Sequence, residues 1–559
     1  MTEQRPWLAQ YPAGIPANID PTVYPALKDL LQEACKKFGT RTAFVSMGVR
    51  MTYRELDRRS TAFGAYLHYR GLQPGDRVAL MMPNLLQYPI ALHGLLKAGL
   101  VIVNTNPLYT PREMKHQFTD AGVKAIVIAE NFASKLEEIL PDTEIKTIVT
   151  TSIGELLGTI KGGITNFVVR NIKSMVPKFN LPEAVTFQKA LDQGKGFTLP
   201  EFKAGPDDLA ALQYTGGTTG VSKGAMLTNR NLVANALQAK AWMATRLEEA
   251  QEGAMLCPLP LYHVFAFTVN SVGLFAHGIT NVLVVNPRDL PKLVGEFKDN
   301  KIIGMTGVNT LFNALVNNSG FQKLDFTYFE LAVGGGMAVQ RPVAEAWQKI
   351  TGGPLSEGYG LTEASPVTHM NPLDATQRLG TIGLPMSSTD ARVWNTDEDR
   401  LATQDERGEL QIKGPQVMKG YYNRPDETAK TITSDGWLKT GDVAVMSEDG
   451  FFKIVDRMKD MILVSGFNVY PNEVEDVMVG HPGVVECAAV GIPSEKSGEV
   501  VKLFVVPAEK GVKEADLIAY AKENLTGYKV PKAIEFRNEL PKSNVGKILR
   551  RHLREPAEE

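Results

Sequence analysis

Along the first two hundred residues, apolar runs at 78–82, 101–104 and 124–129 read as buried strands, and the stretches at 85–97 and 111–121 between them carry apolar residues at helical spacing, the first helix stopped by Gly99. Strand-helix alternation of this kind predicts a parallel sheet with helices on both faces. A similar rhythm returns between 209 and 356, without an internal repeat. From 381 to 455 the pattern changes to short strands, such as 408–412 and 451–455, set between Gly, Asp and Pro turns, which predicts a small β-rich subdomain. Beyond Asp456-Arg457 a compact α+β unit is expected, with strands at 487–490, 500–506 and 533–537 and a helix at 514–524. The charged stretch 457–460 has no apolar face, so the chain divides into 1–456 and 457–559. The predicted class is α/β: a large N-terminal domain of two doubly wound, mostly parallel sheet subdomains plus the β-rich subdomain, then a small α+β domain.

The longest uncharged run, 264–287, contains Asn270, Ser271, His277, Gly278 and Asn281. It therefore reads as a buried helix to about His277 and a strand at 280–285 rather than a membrane span. At 559 residues the chain exceeds one ordinary core, and 43% hydrophobic with 22% charged residues describes a soluble globular protein. Sixty basic against 62 acidic residues leave a net charge of −2, which gives no general pull toward nucleic acid. Affinity for anions must be local. Cys35, Cys257 and Cys487 lack metal-type spacing, and the first six residues lack the layout of a signal peptide, so a reducing, cytoplasmic setting is expected.

A local anion site is offered by the segment 214–224, YTGGTTGVSKG, directly after the apolar 209–212. Gly216, Gly217 and Gly220 let backbone N–H groups approach an anion, Thr215, Thr218 and Thr219 add donors, and Lys223 adds charge. Because Gly224 follows Lys223, the spacing is not that of a Walker loop, and a P-loop kinase or GTPase is disfavoured. Composition alone also allows a threonine-rich surface turn.

Three further blocks decide between these readings: 359–363 (YGLTE), 436–442 (GWLKTGD) and 541–547 (PKSNVGK), with Asp456-Arg457 between the last two. In this order the chain resembles the adenylate-forming superfamily of acyl-CoA synthetases, non-ribosomal adenylation domains and luciferases. The resemblance implies that 214–224 holds the β- and γ-phosphates of ATP, and that Thr215 and Glu363 hold Mg²⁺, a hard cation suited to oxygen. By the same resemblance Gly334, Gly335 and Gly336 lie along the adenine with Tyr359 on its other face, and Glu357, Gly358, Gly360 and Thr362 belong to the same site. Asp442 and Arg457 would bind the ribose hydroxyls. Lys547 would reach the α-phosphate and the carboxylate, and Lys459 would be the hinge of a mobile C-terminal lid. Taken singly, Glu363 reads as a helix-opening acid, Asp442 and Arg457 as surface charges, and Lys547 as a solvated lysine.

Through 435–457 and 461–475 the chain is most similar to bacterial long-chain fatty acyl-CoA synthetases, which implies fatty acid, ATP and CoA as substrates and places Ser465, Gly466 and Phe467 on the pantetheine route. Little chain follows Lys547, so free CoA is the expected acceptor. His263, in the block 260–265, matches a histidine beside the substrate carboxylate, although a lone histidine among apolar residues also reads as core. Some relatives carry a tryptophan tunnel gate where this chain has Phe267. Alternatives are a medium-chain or aromatic acid as substrate, or a non-catalytic lipid-binding relative. Finally, Ile164, Phe167, Val168, Ile172 and Met175 recur at helical spacing among Lys161, Arg170, Lys173 and Lys178. This pattern suggests peripheral contact with the inner face of a membrane, or else a surface helix packed on the core. A homodimer is compatible with the sequence.

Overall fold

A computed structural model describes residues 5–215, 222–494, 496–508, 511–543 and 546–554. Two large sheets dominate. The seven-stranded sheet runs in the order Val185–Thr186, Thr147–Thr151, Val123–Ala129, Arg77–Met81, Val101–Asn104, Leu209–Thr215, Lys223–Thr228, parallel except at its last pair. The nine-stranded sheet has a parallel centre, with Ala254–Cys257 between Thr280–Leu283 and Ile302–Gly307, and antiparallel pairs at both edges.

Continuous apolar runs make sense because each strand feeds two cores. Val78 and Leu80 point into the core shared by the two sheets, while Ala79 and Met81 point into the outer core of the seven-stranded sheet. In the other sheet Met255 and Cys257 face the shared core, and Ala254 and Leu256 the outer one. A residue period of two with both faces buried is what helix-covered parallel strands require. The β-rich subdomain is a five-stranded antiparallel sheet around Gly408–Lys413, Leu438–Met446 and Phe452–Arg457. The last hundred residues form their own sheet, with a separate core built on Ile462, Val474, Leu503 and Leu517.

Most expected elements are found within a residue or two, and Pro111–Ala121, Val101–Asn104 and Glu514–Asn524 coincide. Two helices differ. The one expected from 264 to about His277 is helical to 276, but it is α-helical only over Val264–Thr268 and in a last pair at 275–276, and between them it widens into a π-turn, Val269–Leu274. There the buried Asn270 donates to Asn281 Oδ1 at 3.1 Å and accepts from Thr306 Oγ1 at 3.1 Å, side-chain bonds of the kind that sit at helix irregularities. The 161–178 segment is helical over Thr159–Phe167, passes through a π-turn to Ile172 and stops, because Ser174 takes a left-handed φ of 49° and Pro177 cannot extend a helix. Met175 and Lys178 thus lie beyond the helix. Among the described residues no helix is long and apolar enough to cross a membrane.

Candidate active site

The carboxyl ends of parallel strands from both large sheets open onto one cleft, the usual ligand position in open α/β sheets. Its volume of about 3260 Å³ exceeds the roughly 300–1,000 Å³ of a small-molecule pocket, so several substrates can be accommodated. Thr215 ends Leu209–Thr215 at its rim, Tyr359 and Gly360 end Leu355–Gly360, and Thr362 and Glu363 sit in the following 3₁₀ turn, Thr362–Ala364. That turn is shorter than the helix that the glutamate taken singly suggests. Gly216, Gly217, Thr218, Thr219 and Gly220 lie outside the described residues.

The flanks of the phosphate-loop candidate are held by residues that the motifs did not flag. Tyr214 Oη donates to Asp120 at 2.7 Å, and Asp120 also takes Arg424 Nη2 at 2.7 Å. Lys223 pairs with Glu427 at 2.6 Å and lies over the Tyr421 ring, and Tyr421 Oη donates to Glu363 Oε1 at 2.6 Å. Tyr421, Arg424 and Glu427 all come from the β-rich subdomain, beside or within the short helix Pro425–Thr431. No sequence block marks them, because their role appears only when two subdomains meet.

Tyr359, Asp442 and Arg457 form one cluster: Tyr359 Oη donates to Asp442 Oδ2 at 2.5 Å, and Arg457 Nε stands 3.2 Å from Asp442 Oδ1. Burial, then the neighbouring Asp442 carboxylate, pushes the Tyr359 phenol well above its ordinary value, so it remains a donor. Glu357 is buried and accepts from Val339 N at 3.2 Å, and burial pushes its carboxyl up to about 8. The three glycines at 334–336 divide their work. A Cβ on Gly334 would stand 2.5 Å from Val339, and one on Gly335 3.0 Å from Phe265, so both are small for packing reasons. Gly336, at φ +78°, lines the cleft, as do Gly358 and Gly360.

Lys547 enters the cleft from the C-terminal unit, its Cε 3.5 Å from where a Gly336 Cβ would stand. Burial, then Arg457, lowers its ammonium to about 8. Lys459 lines the same cleft and is lowered to about 8 by burial, then by Arg457. His263 caps the helix Val264–Thr268, its Nδ1 accepting from Phe265 N at 3.4 Å. Burial, then Lys547, lowers His263 to about 3, leaving it neutral at physiological pH. Its loop is fixed from beneath by Asn84, which donates to Leu259 O at 2.9 Å and accepts from Leu261 N at 2.8 Å. Ser465, Gly466 and Phe467 are not part of this cleft. They form a hairpin turn on the C-terminal unit with left-handed Ser465 and Gly466, and the exposed Phe467 stacks on Tyr528 at 4.8 Å.

The model of the family described as AMP-binding enzyme matches residues 31–422, and that of the AMP-binding enzyme C-terminal domain matches 473–547. The chain belongs to the AMP-binding enzyme family. Among curated AMP-binding relatives, a long-chain-fatty-acid–CoA ligase of Salmonella typhimurium is 55% identical over 99% of this chain and 98% of its own length. Its counterpart in Bacillus subtilis is 39% identical over the same shares, and a feruloyl-CoA synthase of Amycolatopsis 32% over 92% and 95%. Among solved structures, ATP-bound MatB from Rhodopseudomonas palustris superposes with a TM-score of 0.80 at 26% identity, covering 94% of this chain and 98% of that one. The anthranilate CoA ligase AuaEII with anthranoyl-AMP, at 22% identity, shares the fold with a TM-score of 0.84 over 96% and 98%.

Proposed function

We propose that this AMP-binding enzyme activates long-chain fatty acids in two steps. The carboxylate attacks the α-phosphate of ATP, giving acyl-AMP and releasing pyrophosphate; the CoA thiol then attacks the acyl carbonyl, giving acyl-CoA and releasing AMP. The observation carrying this reading is Lys547 held in the cleft with the Tyr359–Asp442–Arg457 cluster, in a chain 55% identical to a long-chain-fatty-acid–CoA ligase.

The first step brings two anions together, so it needs positive charge and alignment rather than a nucleophile from the protein. Lys547 is the cation for the α-phosphate and the incoming carboxylate. Asp442 and Arg457 orient the ribose, with Tyr359 fixing Asp442 in place. His263, being neutral, serves as a hydrogen-bonding wall beside the carboxylate and not as a second cation. Ser465, Gly466 and Phe467 meet CoA only in a second orientation of the 457–559 domain, reached by turning about Lys459.

Thr215 and Glu363 fit Mg²⁺: both offer oxygen at the cleft rim, Tyr421 orients the carboxylate through Oε1, and Mg²⁺ bound with a nucleotide needs only one or two protein oxygens. Held by Thr215 and Glu363, Mg²⁺ would supply positive charge against the phosphate oxygens. A panel of fatty and aromatic acids tests the whole reading. ATP, CoA and Mg²⁺ with palmitate are expected to yield AMP and pyrophosphate at the highest kcat/KM of the panel, and chelating the Mg²⁺ is expected to stop turnover. Equal or better use of benzoate or octanoate sinks the long-chain assignment.

A peripheral membrane contact fits the 159–175 segment. Ile160, Ile164, Phe167, Ile172 and Met175 are 80%, 61%, 59%, 65% and 51% exposed, a concentration of bare apolar side chains that packing does not explain. Arg170 is held in a bidentate pair by Glu130, so apolar insertion is the main contribution. Phe167→Ser combined with Ile172→Ser is expected to lower co-flotation with anionic vesicles several-fold while leaving turnover of a short, soluble acid intact. Equal flotation would assign the patch another role.

A further inference from the structure

Away from the tip of Lys547, the C-terminal unit meets the body at a buried carboxylate. Asp456, in the strand Phe452–Arg457, is 0% exposed and precedes Lys459 by three residues. Its Oδ2 accepts from Asn472 N at 2.7 Å, in the first turn of the helix Pro471–Val479. That helix has no side-chain cap of its own, since Tyr470 stands at the cap position and Pro471 follows it. Helix N-termini need an acceptor for their free N–H groups and favour an anion there, and here the anion comes from the far side of 457–460.

Arg550 completes the arrangement. Its Nη1 lies 4.0 Å from Asp456 Oδ1, and its Nη2 donates at 2.7 Å to Asn472 Oδ1 and at 2.7 Å to Glu475 Oε2. Because Arg550 follows Lys547 by three residues, this guanidinium links the strand end, the helix start and the segment bearing the catalytic lysine.

We propose that Asp456, Asn472 and Arg550 are positioning residues forming a latch across the hinge, which holds the lid in the orientation that presents Lys547 and opens before thioester formation. This rests on the two-orientation reading above. Turning at Lys459 carries Asn472 and Arg550 with the lid and leaves Asp456 on the body, so cap and ion pair break in the motion that withdraws Lys547. Other contacts across this boundary are longer than the 2.7 Å bond at Asp456: Asn472 Nδ2 donates to Val455 O at 3.4 Å, Thr310 Oγ1 is 3.5 Å from Gly546 O, and Arg407 lies over the Tyr470 ring at 4.8 Å. The short, buried, charge-assisted bond from Asn472 N to Asp456, with Arg550 4.0 Å away, therefore weighs most in the balance between orientations.

The test uses the full chain. Cys35, Cys257 and Cys487 are buried, so fluorophores can be attached at Lys323→Cys on the body and Lys513→Cys on the lid, both exposed. In that background Asp456→Ala is expected to shift the single-molecule transfer distribution away from that of the parent. Acyl-AMP formation should slow by about tenfold, the scale of losing one charged helix cap. Thioester formation from supplied acyl-AMP and CoA should be unchanged or faster. Asp456→Asn keeps an acceptor for Asn472 N–H and should fall between the two, and it carries the test if the alanine variant does not fold. If the parent changes distribution with acyl-AMP and CoA while the variants match it in distribution and in both rates, the latch is wrong and the two-orientation reading stands. Equal loss of both half-reactions with an unshifted distribution marks Asp456 as merely structural. A parent distribution that no substrate moves overturns the two-orientation reading and the latch together.

Discussion

Lys547→Ala is expected to lower acyl-AMP formation by roughly 10²-fold or more, the cost of deleting one preorganised electrostatic contact to a transition state. Thioester formation from supplied acyl-AMP should change little, since the proposed second orientation takes the side chain out of the cleft. The environment adds a pH signature. With its ammonium lowered to about 8 by burial and Arg457, Lys547 is charged in the free enzyme below that pH and loses its charge above it. The kcat/KM for ATP in the first half-reaction should therefore decline as pH rises through about 8. Lys547→Arg should move that decline upward, because a guanidinium keeps its charge. Pyrophosphate exchange measured across pH on both variants is the check. An alanine variant that keeps normal exchange removes Lys547 from the chemistry.

Lys459→Pro is expected to give the opposite profile. The flanking Met458 N and Asp460 N donate to Gly441 O and Arg457 O at 3.0 Å each, bonds that a proline at 459 leaves in place. The orientation seen here thus stays accessible and adenylation continues. A fixed φ at the pivot resists the turn needed for the second step, so thioester formation from acyl-AMP should fall by about tenfold or more. Stopped-flow assays of each half-reaction decide it. If this variant and Lys547→Ala lose both halves equally while folded, a lid with two working positions is the wrong mechanism.

How much of this was legible in the chain follows from which interactions are local. The strands at 101–104 and 124–129 were readable, the second to within one residue of Val123–Ala129, because burial on both faces writes a continuous apolar run. Tyr359, Glu363, Asp442, Arg457 and Lys547 were readable because each sits in a short block, and the cleft does gather them. The packing roles of Gly334 and Gly335 were not, because Val339 and Phe265 must be seen filling their places. Nor was the capping of one domain's helix by Asp456: Asp456 and Asn472 are 16 positions apart, and no periodicity links them. The π-turn at Val269–Leu274 also escaped, since a widened turn keeps nearly the same apolar spacing as a regular one.

The contacts of Tyr421, Arg424 and Glu427 bear on modularity. These three side chains come from the antiparallel subdomain, yet they grip Glu363, Asp120 and Lys223 around the phosphate-loop candidate. The proposed nucleotide site is therefore not a cassette carried by one sheet. A fragment ending before residue 421, or a chimera exchanging the β-rich insert with a distant relative, would keep every glycine and threonine of 214–224 and still lose the three braces on its flanks. Exchanges in this enzyme should be cut so that 421–427 travels with 120, 223 and 363.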